Sequence, residues 1–208
     1  MTPLVTRALA QAGLLEALEA RERGDVSRLE ALRPHLEAAD WLLLGALANE
    51  VREREVGRDV RVFANVSPDD DRSASDLVGE PHEGGIPFLR KVALARIFSG
   101  PAARLRVGWD GLGMEFAQVT LAFGANELFG AVRFKDGELV TVDALLGHGK
   151  RSKLEPAQVV KRREIARFLT RAGRRALFAT AEGTFEEYTE EAASSEHAAT
   201  SPTEISLP

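Results

Sequence analysis

Five side chains have the types and settings from which chemistry can be built. Trp109 and Asp110 lie in the run Arg106-Val-Gly-Trp-Asp-Gly-Leu-Gly113, where a strand-like segment meets a glycine turn. Open and barrel α/β folds place ligands at such strand ends. Asn126 and Glu127 lie in Phe123-Gly-Ala-Asn-Glu-Leu128, entering the next strand. Together they suit a polar ligand such as a nucleoside: an indole to stack a base, carboxylates and an amide to read its edges or a ribose. The plainer alternative stands beside this one, with Trp109 as a core aromatic and Asn126 as a helix-ending turn residue. Lys150 lies in the basic glycine loop Gly147-His-Gly-Lys-Arg-Ser-Lys153. Bare amides and lysines there suit a phosphate, yet Ala144 stands where a P-loop needs its first glycine. A connector before the last helix is the plainer reading.

Other chemistries are poorly supplied. Asp69-Asp70-Asp71 offers hard-cation oxygens, but the following residues do not continue a calcium loop, so a solvated loop is expected. His35, His82, His148 and His197 show no metal-ligand spacing. There is no Gly-x-Ser-x-Gly elbow. After Gly111-Leu112-Gly113 come Met114, Glu115 and Phe116, so the dinucleotide fingerprint fails. The chain has no cysteine, which rules out disulfides, thiolate zinc sites, a Cys-ligated iron–sulfur cluster and a cysteine nucleophile. The sequence thus names no catalytic residue, no metal ligand and no cofactor.

The chain has 208 residues, enough for one domain with a core. No apolar run approaches the roughly 20 residues of a membrane span, and the first ten residues lack a signal pattern. The expectation is a cytoplasmic protein with no membrane partner. The net charge of −5 is uneven. Beyond Arg175 there are seven glutamates and no Lys or Arg, which leaves residues 1–175 with 27 basic and 25 acidic side chains. A near-neutral body gives no case for nucleic-acid binding. Residues 176–208 form an acidic tail, expected to be disordered, most clearly beyond Tyr188.

The elements that would position these residues follow from periodicity. Residues 1–56 form a helical N-terminal region, with Gly24 as a stop, Asp25 as an N-cap, Pro34 as an interruption, and a long helix over Leu36–Val56. Asp59 to Val66 alternates as a strand. Ser67 to Pro87 is a long loop. A helix follows from Pro87, then a strand over Ala103–Trp109, a helix over Met114–Phe123, and a strand over Leu128–Phe134. Lys135-Asp136-Gly137 is a hairpin turn with Glu138–Val142 as its return. The last helix starts near Pro156 and closes at Gly173. Alternating strands and helices predict an α/β fold with a small, mostly parallel sheet. Residues 57–175 make up that α/β domain.

The runs Phe88–Gly100 and Leu105–Gly130 resemble the C-terminal third of the radical-SAM family that contains aminofutalosine synthase and dehypoxanthine futalosine cyclase. The matching features are Ala93-Leu-Ala-Arg96, Trp109, Ala117-Gln118, Leu121 and Phe123–Gly130. Glu164-Ile165 to Arg174 resembles the family's closing helix, Ala38–Arg52 its N-terminal helix, and Val60–Asn65 its first barrel strand. Over residues 30–175 the resemblance implies a partial (β/α) barrel-like arc, with the loop 67–87 replacing the missing core. The family's cluster-binding cysteines would fall at Val66–Asp76, where none exists. The resemblance therefore implies a non-catalytic accessory subunit linked to menaquinone biosynthesis by the futalosine route. Its partner would be a complete radical-SAM relative or a second copy. The alternative is a free-standing nucleoside-binding protein or minor enzyme using Trp109, Asp110, Asn126, Glu127 and Lys150.

Overall fold

The computed structural model describes residues 2–64, 75–76, 85–101, 103–130, 162–180 and 183–188. The N-terminal region is helical: α1 (Pro3–Gln11), α2 (Leu15–Glu22), α3 (Val26–Ala31), α4 (Arg33–Ala38) and α5 (Trp41–Val56). Asp25 caps α3 by accepting from Arg28 N–H at 2.9 Å. Pro34 opens a helix instead of interrupting one, because a proline in the first turn forfeits no intrahelical hydrogen bond. The break falls at Asp40, whose carboxylate accepts from the Leu42 and Leu43 amides and starts α5 afresh.

The rest alternates: β1 (Asp59–Ala64), β2 (Ser75–Asp76), α6 (Ile86–Phe98), β3 (Leu105–Gly108), α7 (Trp109–Leu112), α8 (Met114–Leu121), β4 (Glu127–Gly130), α9 (Arg162–Arg171), β5 (Arg175–Ala179) and β6 (Phe185–Glu187). One six-stranded sheet has the order β2-β3-β4-β1-β5-β6, parallel throughout except for the β5–β6 pair. The expected α/β class with a mostly parallel sheet is what forms. The boundary at 175 is corrected. Arg175–Ala179 pairs with β1, and Phe185–Glu187 pairs with β5, so at least this part of the expected tail is ordered. Leu177, Phe178 and Phe185 supply the apolar and β-forming matter that the glutamates around them obscured. The boundary at 56 also dissolves, since the N-terminal helices share one core with the sheet. The hairpin over 135–142 and the tail beyond Tyr188 lie outside the described residues.

Register sorts the strands into two faces. Val60, Val62, Val107, Leu128, Ala176 and Phe178 turn one way and join a single core with residues from α1 to α6, α8 and α9. Asp59, Arg61, Phe63, Arg106, Glu127, Phe129 and Arg175 turn the other way. On this second face Phe63, Arg106 and Glu127 are buried. No described helix is long and apolar enough to cross a membrane.

Candidate functional site: the arginine–glutamate face

The two halves of the sequence-derived site lie apart. Trp109 and Asp110 follow the C-terminal end of β3, whereas Asn126 and Glu127 stand at the N-terminal end of β4. Glu127 pairs with Arg106, three residues before Trp109, so about 10 Å of strand separates the two groups. Trp109 is 0% exposed and belongs to the core. Its indole lies so close to Gly130 that a Cβ there would come within 2.4 Å of it. Trp109 has no open face on which to stack a base. Asp110 is exposed in the first turn of α7. Lys150, Asp69 to Asp71, and the loop 147–153 fall outside the described residues.

Asn126 is a structural hub. Its backbone N–H donates to Leu105 O at 3.1 Å, and its carbonyl accepts from Arg61 N–H at 3.1 Å. Its side-chain oxygen accepts from Leu105 N–H at 2.7 Å and from Arg96 Nη2 at 2.8 Å. Arg96, wholly buried on α6, also donates Nε to Gly124 O at 2.8 Å. Burial pushes that guanidinium below its usual range, to about 10, against the favourable pull of Glu55. Gly124 has φ of +104° and lies against Arg96 closely enough that a Cβ would overlap it, so the turn requires glycine. The side-chain oxygen that suggested a reader of ligand edges is used in joining α6 to β3, and the backbone carbonyl reaches β1.

Glu127 has a different setting. It is 0% exposed and shares the second face with three arginines. Oε1 accepts from Arg104 Nε at 2.5 Å and approaches Arg61 Nη1 at 3.5 Å. Oε2 accepts from Arg106 Nε at 3.1 Å and Arg104 Nη2 at 3.2 Å. Aromatic rings floor the cluster. The Arg106 guanidinium lies 4.3 Å from the Phe63 ring centre, and the Arg61 guanidinium 4.9 Å from that of Phe185. Phe63 and Phe185 meet edge to face at 5.6 Å. Both carboxylate oxygens are engaged by guanidiniums, and the residue is wholly buried.

Sequence reasoning found Asn126 and Glu127 but missed Arg61, Phe63, Arg104 and Arg106. A signal was present: Val60-Arg61-Val62 and Arg104-Leu105-Arg106-Val107 alternate apolar and cationic, which marks a strand with a charged face. Among the described residues, no group of three or more His, Cys, Asp or Glu is placed to hold a metal ion. No family model matches the chain, and no curated protein sequence does.

Proposed function

We propose that the chain is a non-catalytic, radical-SAM-like accessory subunit. It would act beside a complete radical-SAM relative in menaquinone biosynthesis by the futalosine route. The observation that carries this reading is the place of β1 in the sheet. The first strand of the chain lies parallel to and beside β4, which itself lies beside β3. The last strands of a (β/α) barrel close onto the first in this manner. Helices α1 to α6, α8 and α9 share a core with one face of the sheet, and the other face carries charged side chains, which also suits an arc of such a barrel. An open parallel sheet carries helices on both faces. β5 stands beside β1, where a barrel would continue with its next strand, and β6 pairs antiparallel to the far side of β5.

The family's iron–sulfur cluster does not fit these residues. It requires thiolate ligands, and the chain has no cysteine, so no step of radical chemistry is assigned to it. Docking onto an enzyme that keeps its own cluster is the role left to a barrel-like arc of this kind. Of the residues named for the nucleoside-binding alternative, Trp109 is buried and the Asn126 side-chain oxygen is engaged by Arg96 and Leu105.

The test is recovery of the tagged full-length chain from its own cells, followed by mass spectrometry of what accompanies it. The expected result is a stoichiometric radical-SAM relative whose turnover changes when this chain is withheld. Recovery as a monomer without such a companion overturns the reading.

A further inference from the structure

At the N-terminal ends of β1 and β5 the surface opens into a cleft of about 650 Å³, within the roughly 300–1,000 Å³ of small-molecule sites. Two helices stop at its rim. Gly57 follows the end of α5 and Gly173 lies just beyond α9, and a Cβ built on either meets nothing within 4 Å. The apolar part of the lining comes from Val56, Ala176 and Tyr188, whose ring is set against Phe178 at 5.6 Å.

The charged lining sorts by what already holds it. Arg175 donates Nε and Nη2 to the two oxygens of Asp59 at 2.7 Å each, and lies 4.0 Å from Glu187. Arg174 is held by Glu53 at 3.1 Å and by Asn49 at 2.7 Å. Arg58 lines the same cleft and is exposed, and its guanidinium has no ion-pair or hydrogen-bond partner among the described residues. The lining thus carries three guanidiniums against two carboxylates, and Arg175 takes up both carboxylates. One cationic fork remains open. Asp59 and Glu187 keep acceptor capacity beside it, since a carboxylate offers about four lone-pair sites.

We infer that this cleft binds a small hydroxylated organic anion, of the phosphate-monoester or carboxylic-acid class. Its oxyanion meets the Arg58 fork, which matches the geometry of either group. Its hydroxyls donate to Asp59 and Glu187 while these stay paired to Arg175. A neutral molecule leaves Arg58 unanswered, and a cation meets the surplus of like charge, so the cleft discriminates by repulsion as well as attraction. The site lies at the opposite end of the strands from Trp109 and Asp110. The inference goes beyond the accessory-subunit reading and does not depend on it.

The probe is glucose 6-phosphate, with glucose beside it, titrated into the full-length chain and followed by the amide NMR signals of Gly57, Arg58 and Gly173. Saturable shifts with a Kd near or below about 1 mM are expected for the phosphate ester, and none for glucose. Arg58→Gln weakens binding at least tenfold. Arg58→Lys, which keeps the charge and loses the fork, weakens it less, and both variants are expected to melt with the parent. Glu190 and Glu191 follow Tyr188 in the sequence and are the chain's own oxyanions, so the titration is repeated on Glu190→Gln with Glu191→Gln, where affinity is expected to be equal or higher. No binding to either chain up to about 10 mM overturns the inference. So does glucose binding as well as its phosphate ester, or Arg58→Gln binding as tightly as the parent.

Discussion

Val62 and Phe63 are neighbours on β1, yet their surroundings differ in kind. Val62 faces a layer made of Val60, Val107, Leu128 and Phe178 and packs under the helices. Phe63 faces the other way, beneath the Arg106 guanidinium and edge to face with Phe185. The first face is what the hydrophobic effect alone would assemble. The second gathers ionised groups away from water, which costs free energy that their mutual attraction recovers only in part. A fold needs the first face to exist. It does not need the second to be charged, since apolar residues of similar size would pack there as well. The charged face is thus the region whose composition points beyond folding.

The largest test of this contrast lies at adjacent positions of β4. Glu127→Ala strands buried guanidiniums and is expected to lose about 3–5 kcal/mol of stability in urea unfolding. Leu128→Ala, on the apolar face, is expected to lose about 2–5 kcal/mol through its cavity. The distinction appears on combination. Glu127→Leu with Arg106→Met, which removes charges of both signs, is expected to recover most of the loss, to within about 1 kcal/mol of the parent. A double variant as unstable as Glu127→Ala would mean that the charges are needed for folding.

Asn126→Ala is a smaller change at the edge of the same cluster. It removes the acceptor for a buried Arg96 donor and for the Leu105 amide, with an expected loss of about 2 kcal/mol. Asn126→Asp keeps the acceptor oxygen beside Arg96 and is expected to lose less. Thermal melts of the two variants decide whether the amide is chiefly an acceptor.

The smallest effect belongs to the exposed helices. The Arg33 guanidinium holds Glu30 below its usual carboxylate range. A carboxyl that is more acidic when folded adds stability above its ordinary titration point. That stability is lost as the pH falls through the folded value. Glu30→Gln should therefore differ slightly from the parent near pH 7 and converge with it near pH 3, read from urea midpoints. A gap that widens on acidification would contradict the ion pair.

Much of the scaffold was legible because its signals are local. Asp25 as a cap, the strand start at Asp59, the glycine close of α9 and the parallel character of the sheet each rest on a few adjacent residues. Pro34 misled because a proline breaks a helix only past its first turn, and where that turn begins depends on Leu32 and its packing. Trp109 was open between two readings, and the choice depended on Gly130, twenty-one residues away, leaving room for the indole. Arg61 and Arg106 escaped notice because each is unremarkable alone. Only the register that sets both beside Glu127 turns them into a cluster, and register is a non-local property.

The position of β1 between β4 and β5 has a consequence for the chain as it is made. Glu127 is 66 residues beyond Arg61, and Arg175 is 116 residues beyond its partner Asp59. A ribosome adding about 5–20 residues per second exposes β1 for several seconds before either neighbour emerges. Through that interval the strand has hydrogen-bonding edges on both sides and an apolar face that only the helices before it can shelter. The five N-terminal helices, rich in short-range contacts, are suited to fold in microseconds to milliseconds. They stand ready to act as an intramolecular chaperone for the strand that follows them.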